Sequence, residues 1–343
     1  MADLDDVRPT LERVAGDREL EARWQATTGR LRTALAELVP LSTALRHTVA
    51  AQSSDYRGGA APRLTEREDV EAYAASRMPA TFAAVGAAMR ETARAVPSLA
   101  PVSLLDVGTG TGSASWAATS VWPGLSQVTG IDRSALMLGL ARELASRSGA
   151  ASLERANWAR GAATTAALQP ADLVAATYLL GEIPDRPREN LIETLWAATQ
   201  GVLVVVEPGT PDGFARIRSA RRQLIAAGAL VAAPCPHDQA CPMVDRDWCH
   251  FAARLGRSRL HRQAKGVEVP WEDEPYSYVA ASRLPVERSA RVLARPAVRK
   301  GAIGLRLCTL DGIRPVTVSR RDRPAYRAAR HLGWGSRFET WED

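Results

Sequence analysis

One run of nine residues, Leu104-Leu105-Asp106-Val107-Gly108-Thr109-Gly110-Thr111-Gly112, limits what the chain can become more than any other. A short apolar stretch ends on an acidic side chain, and three glycines follow at alternate positions. The pattern predicts a buried strand, a glycine turn and a helix from Ser113 to Ser120. Glycine admits φ > 0 and lets backbone approach a ligand with no Cβ in the way. The free N–H groups of the helix start then face whatever rests on the turn. The plain alternative is a tight turn that binds nothing.

The spacing separates this turn from a dinucleotide fingerprint, G-x-G-x-x-G. Here Asp106 is followed by Gly108, Gly110 and Gly112. A carboxylate at the strand end would repel a pyrophosphate and suits a ligand with positive charge. The stretch resembles the first motif of class I S-adenosylmethionine-dependent methyltransferases, whose ligand is a sulfonium with an amino-acid end. Val128-Thr-Gly-Ile-Asp132 predicts a second strand, and Asp132 falls 20 residues after Gly112. That is about the distance at which a strand-end carboxylate takes ribose hydroxyls. Asp106, Gly108, Gly110, Gly112 and Asp132 are therefore the candidates for holding S-adenosylmethionine.

From Pro101 onward strands and helices alternate, which argues for a parallel α/β sheet. Asp172–Tyr178 reads as a fourth strand and Gly201–Pro208 as a fifth, with a weakly marked third within 151–159. Residues 1–97 read as helical, with Leu31, Leu35, Leu38 and later Val85, Met89 at helical spacing. Ser53–Pro62 reads as a loop by composition. Tyr73, Arg77 and Thr81 would share a helix face if Pro79 only kinks it. Such a stripe serves either ligand contact or packing between units. The expected organisation is an N-terminal helical domain (1–97), a methyltransferase-like domain (98–283) including the cysteine segment 234–251, and a basic C-terminal β/helix extension (284–343). The fold class is α/β, a class I methyltransferase (Rossmann-like) sheet with those two additions.

Methyltransferases place the residues nearest the transferred methyl at the end of the fourth strand. Here that end reads Thr177-Tyr178-Leu-Leu-Gly181-Glu182. It lacks the Asn/Asp-Pro-Pro-aromatic tetrad of amino methyltransferases. No Cys precedes Cys235, so the covalent route to a pyrimidine carbon is missing too. Tyr178 and Glu182 remain as catalytic candidates, with Glu207 as a further possible base.

All four cysteines come late, at 235, 241, 249 and 308. The start of the chain, Met1-Ala-Asp-Leu-Asp-Asp, is unlike a signal peptide. No apolar run approaches the roughly 18 residues of a membrane-spanning helix. A cytoplasmic protein with no membrane contact is expected, and there such cysteines point to metal rather than disulfides. Intervals of five and seven residues between the first three are wide for zinc, whose knuckles favour two to four. An iron–sulfur cluster takes four thiolates around a bulkier core. Zinc stays open as the alternative, and His237 and His250 as substitute ligands or neighbours of the site.

Net charge is +6, unevenly spread. Residues 283–343 carry 14 Arg/Lys against 6 Asp/Glu, a net of +8, which leaves −2 for the rest. A polyanion partner met by the C-terminal part is implied.

Glu207-Pro-Gly-Thr210-Pro-Asp-Gly-Phe214 with its following Arg-rich helix, Pro234-Cys-Pro-His-Asp238, Asp247-Trp-Cys-His-Phe251 and Ser258-Arg-Leu-His261 converge on one resemblance. They resemble the bacterial and mitochondrial methyltransferase-like family associated with the small ribosomal subunit, over about residues 50–338. The resemblance implies a 4Fe–4S cluster on Cys235, Cys241, Cys249 and Cys308 and binding to small-subunit rRNA, with no role for DNA. The candidate phosphate contacts are Arg257, Arg259, Arg262, Lys265, Arg320, Arg321, Arg327 and Arg330, with Arg216, Arg218, Arg221 and Arg222 nearby in sequence. The expected function is S-adenosylmethionine-dependent methyl transfer on 16S-type rRNA, with a structural cluster. The alternative is a non-enzymatic assembly factor that uses the same fold to bind rRNA.

Overall fold

The computed structural model describes residues 4–57, 64–244 and 246–338. Four helices come first, α1 (Leu4–Leu38), α2 (Thr43–Arg57), α3 (Arg67–Ser76) and α4 (Met78–Ala95). The predicted loop at Ser53–Pro62 is helical as far as Arg57, and its remainder lies outside the described residues. The helix expected to carry Tyr73, Arg77 and Thr81 on one face is broken at Arg77. Pro79 sits in the first turn of α4 instead of kinking a continuous helix, as suits a residue with no N–H to donate.

The alternating region then runs β1 (Ser103–Val107), α5 (Ser113–Val121), β2 (Gln127–Asp132), α6 (Ala135–Ala145), α7 (Ala151–Glu154), β3 (Asn157–Arg160) and β4 (Ala171–Thr177). A short 3-10 turn at Leu180–Glu182 leads to α8 (Asp185–Ala198), β5 (Thr199–Pro208), α9 (Pro211–Ala226) and β6 (Leu230–Ala233). After an irregular stretch come β7 (Phe251–Gly256), α10 (Arg259–Lys265) and β8 (Trp271–Ser282). The main sheet has the order β3-β2-β1-β4-β5-β8-β6, with β7 on the other half of β8. Strands β1 to β5 are parallel. Strand β8 runs antiparallel to both β5 and β6. A doubly wound sheet of order 3-2-1-4-5-6 is Rossmann-like. The antiparallel strand set between the fifth and sixth makes it a methyltransferase sheet.

Strands covered on both faces need continuous apolar sequence, and Val202–Val206 in β5 are all fully buried. One core lies between the sheet and α8 and α9. The other joins the opposite face to α5, α6 and the N-terminal helices. Contact there is close enough to require Gly86: a Cβ on it would sit 2.2 Å from the Trp24 ring. That ring stacks on Phe82 at 4.3 Å, with the Arg90 guanidinium 4.3 Å from its centroid.

The C-terminal part adds a five-stranded antiparallel sheet from β9 (Ala290–Val292), β10 (Ala297–Arg299), β11 (Ala302–Thr309), β12 (Gly312–Ser319) and β13 (Arg337–Phe338), with helix α11 (Arg323–Ala329) against it. Among the described residues no helix is long and apolar enough to cross a membrane.

Candidate functional site

The glycine turn has φ of 71° at Gly108, 56° at Gly110 and 88° at Gly112, all in the left-handed region. The Gly108 and Thr109 amides donate to the Ile131 carbonyl at 2.8 and 3.0 Å, which draws the turn onto β2. Asp132 completes the brace. Its Oδ2 accepts from the Gly110 amide (2.9 Å) and its Oδ1 from the Ser134 amide (2.8 Å). Asp106 is fully buried beneath. Its Oδ2 accepts from the Thr109 hydroxyl (2.7 Å), the Ser115 hydroxyl (2.8 Å) and the Ser115 amide (3.1 Å). Burial raises its pKa to about 6 against the pull of those hydrogen bonds.

A crevice of about 770 Å³, counting space open to solvent, is lined by Gly108, Asp132, Arg133, Leu179 and Glu182. It lies at the carboxyl ends of the strands, where open α/β sheets take ligands. Oδ1 of Asp106 is buried with no donor. Asp106 itself does not line the crevice, whereas Gly108 and Asp132 do, and a backbone glycine turn with a strand-end carboxylate is the set that would hold a nucleoside ligand such as S-adenosylmethionine. Asp132 spends both oxygens on the turn, although each keeps a lone pair for a hydroxyl.

The two catalytic candidates part company. Glu182 lines the crevice, 3.2 Å from Arg133, and burial raises its pKa. Tyr178 adopts φ 55°, rare for a residue with a Cβ. Its hydroxyl donates to Glu274 Oε1 (3.2 Å), which also accepts from Arg77 Nη2 (3.0 Å). Tyr178 thus packs into the seam between the N-terminal helices and β8, and burial holds its proton on. The stripe begun at Tyr73 is packing at this seam. Glu207 is structural as well: its two oxygens hold the Leu180 amide (2.9 Å) and Arg216 Nε (2.6 Å).

Cys235 follows β6, Cys241 and Cys249 lie on the irregular segment after it, and Cys308 comes from β11. All four thiols are free and line one cavity of about 480 Å³, counting its open side. Burial raises the Cys249 thiol, and the neighbouring Cys235, Cys241 and Cys308 raise it further. Cys308 is pushed up to about 12, by burial and then by Cys235 and Cys241. Among the described residues no three His, Cys, Asp or Glu side chains stand in the arrangement of a metal-ion site. The structure therefore gathers the four cysteines without forming a metal centre. Thiols ringing a space are the donor set of a group bulkier than one ion, and they fit a four-thiolate cluster.

One buried arginine, Arg221, lines this cavity, a second, Arg291, lies behind it, and the sequence did not assign them there. Arg221, expected on a phosphate-facing surface, is 5% exposed and donates from Nη2 to the His237 carbonyl (2.6 Å). Arg291 is held by Glu91, by the Pro234 carbonyl (3.2 Å) and by the Gly335 carbonyl (2.8 Å). The signal for Arg221 was present in the sequence. Phe214, Ile217, Ala220, Arg221 and Leu224 form the buried stripe of α9 at helical spacing. His250 stacks on Trp248 at 5.0 Å and meets Trp334 edge-on at 4.6 Å, so these rings pack on one another.

The basic candidates divide into two sets. Arg257 and Lys265 are tied to Glu272, at 3.2 and 2.6 Å, and Arg262 is half-buried; only Arg259 of this group is exposed. Arg320, Arg321, Arg327 and Arg330 are exposed and make no ion pair with a described residue.

Residues 67–339 match the family model described as mitochondrial small ribosomal subunit Rsm22. A human relative, "Ribosome assembly protein METTL17, mitochondrial", is 32% identical over 284 residues, covering 77% of this chain and 61% of that protein. The "Rsm22-cox11 tandem protein 2, mitochondrial" of Schizosaccharomyces pombe is 25% identical over 214 residues, covering 48% of this chain and 28% of that one. The chain thus spans less than two thirds of the relatives it matches. Solved structures that it resembles include magnesium protoporphyrin IX methyltransferase from Synechocystis with bound SAH (14% identity, TM-score 0.39, covering 69% of this chain and 96% of that one). Precorrin-6y C5,15-methyltransferase from Geobacter metallireducens is another (15% identity, TM-score 0.38, covering 57% and 86%). Strand order, more than superposition at that level, identifies the fold. The cytoplasmic expectation is overturned: the family and these relatives are described as mitochondrial.

Proposed function

The chain belongs to the Rsm22 family of the mitochondrial small ribosomal subunit, and from that premise we propose that it is a small-subunit assembly factor that binds rRNA and holds a four-cysteine iron–sulfur cluster. The observation that carries this reading is the single cavity lined by Cys235, Cys241, Cys249 and Cys308. When bound, the cluster would supply sulfur–iron bonds joining the end of β6 and the segment after it to β11. The protein's own part is to gather the thiols, surround them with apolar side chains such as Phe214 and Met243, and set the buried Arg221 guanidinium beside them. The C-terminal sheet held in this way carries the exposed arginines at the end of β12 and on α11. Unpaired arginines on one module are what a phosphate backbone requires.

The test uses protein purified without oxygen. Iron and sulfide analysis should give a cluster, and Cys235→Ser should lose both it and binding to immature small-subunit rRNA. Stoichiometric zinc in place of iron, or full rRNA binding by Cys235→Ser, would overturn the reading.

A second reading, S-adenosylmethionine-dependent methylation of rRNA, is favoured by the crevice at the strand ends that Gly108 and Asp132 line together. Calorimetry with S-adenosylmethionine on iron-loaded protein tests it. Micromolar binding lost in Asp132→Ala supports the enzyme. No binding leaves the crevice as scaffold, and labelled methyl transfer surviving Asp106→Ala would remove that carboxylate from the donor site.

A further inference from the structure

We propose that Arg221, acting with His237, is the built-in counter-charge of the cysteine cavity and fixes how firmly the cavity holds an anionic cluster. The inference rests on the cluster reading above and concerns two side chains outside the ligand set.

A guanidinium keeps its charge at any physiological pH, and a buried charge requires an opposite one beside it. Two other inward-facing arginines here obey that rule, while Arg90 lies over the Trp24 ring instead. Arg216, on the same helix, meets Glu207 at 2.6 Å, and the buried Arg291 meets Glu91. Arg221 is just as enclosed, yet no carboxylate pairs with it among the described residues. Its Nη2 is satisfied by the His237 carbonyl (2.6 Å), while its Nε is sealed in with no acceptor. The Cys235 thiol lines the same cavity, and the Arg221 guanidinium favours its thiolate. With four neutral thiols in the cavity, Arg221 stays uncompensated. With four thiolates on a cluster, whose net charge is negative, it gains both its counter-ion and an acceptor for Nε.

His237 extends the same device to the opposite wall. It is 3% exposed, and its Nε2 lies 3.9 Å from Cys308 Sγ. Its Nδ1 has no hydrogen-bond partner among the described residues. By holding the His237 carbonyl, Arg221 fixes where that ring sits. One arginine thus reaches Cys235 directly and Cys308 through its neighbour. Positive charge and N–H donors beside ligating sulfurs raise a cluster's reduction potential, so both side chains are positioning residues with a measurable electronic signature.

The experiment compares wild type, Arg221→Gln, Arg221→Lys and His237→Gln, all purified without oxygen. The readouts are iron and sulfide per chain, the rate of visible-absorbance loss under a chelator, and the midpoint potential from dye-mediated titration. Glutamine removes the charge and also shortens the side chain, so Arg221→Lys, which is likewise shorter but keeps the charge, separates the two effects. Arg221→Gln is expected to lose its cluster at least ten-fold faster and to have a lower potential, with Arg221→Lys closer to wild type. A folded Arg221→Gln with wild-type loss rate and potential overturns the inference. Should that variant fail to fold, His237→Gln decides: a lowered potential at wild-type iron content supports the pair, and an unchanged one overturns it. A wild-type sample that binds no iron and sulfide overturns the cluster reading itself, a result visible before any variant is made.

Discussion

The crevice at the glycine turn and the cavity at the cysteines differ in how far each is complete without a guest. At the turn, Asp132 gives both oxygens to backbone amides, and Glu207 is satisfied by the Leu180 amide and Arg216. Asp106 Oδ1, the Thr111 hydroxyl and the Trp116 Nε1 are left over, none of them a cation. At the cysteines, Arg221 Nε, His237 Nδ1 and four free thiols are all left over within one cavity. The carboxylates of the first region are held by amides, hydroxyls and an arginine. In the second, the buried Arg221 guanidinium meets no carboxylate among the described residues. The difference between the two regions is therefore one of unpaired buried charge.

The largest test of this contrast is Cys249→Ser, since that thiol faces the other three. It should lose iron and sulfide and lower stability by about 3–5 kcal/mol, the usual cost of stranding a buried charge such as Arg221. Thermal unfolding of anaerobic protein measures it, and an unchanged melting temperature would break the contrast. Next comes Asp106→Asn. The folded pKa of Asp106, about 6, lies above its ordinary value of 3.8. The native state therefore keeps this proton longer than the unfolded chain. Stability from this residue is fully present below pH 3.8 and falls as pH rises through about 6. By pH 7 the loss is about 3 kcal/mol at most, at roughly 1.4 kcal/mol per unit. Asparagine escapes it, so urea unfolding should show the variant gaining on wild type between pH 4 and pH 6.5. A gap independent of pH would refute the assignment.

Gly110→Ala should have a smaller effect. Its φ is 56° and a Cβ there meets open space, so only backbone strain of about 1–2 kcal/mol is expected. Cluster content should not change, and any loss of iron would show that the two regions are coupled. Arg327→Gln should be smallest, within about 0.5 kcal/mol in stability. It should still flatten the salt dependence of rRNA binding by about one unit of slope.

Much of the first region was legible in the sequence because its determinants are local. Apolar runs ending at Asp106 and Asp132 mark β1 and β2, and the alternate glycines mark the turn. β3 was less visible, since Asn157–Arg160 is a short edge strand in which only Trp158 is fully buried. β8 was missed altogether. It pairs with β5 across some seventy residues, Glu207 lying beside Ser277, and no local pattern announces so distant a partner. Tyr178 follows β4 as its place in the sequence implies, but its positive φ, which no local pattern announces, turns its hydroxyl to Glu274 beside Arg77. The four cysteines were legible as a set by composition. Arg221 was hidden by its own type, because arginine on a helix reads as surface unless its phase against Phe214 and Ile217 is followed.

The path of the chain around the cavity also sets an order of events in time. Three thiols are in place by Cys249, and the fourth, on β11, comes 59 residues later. At about 5–20 residues per second of synthesis, that is an interval of about 3–12 s. During it the pocket has three walls, and its sulfurs stand open to oxidants and stray metals. Strand β11 closes it, and that strand needs β9 and β12 beside it to hold register. Whatever fills the cavity is therefore enclosed only after β11 and its neighbours have emerged, so strands far along the chain from the first three cysteines decide whether the pocket closes.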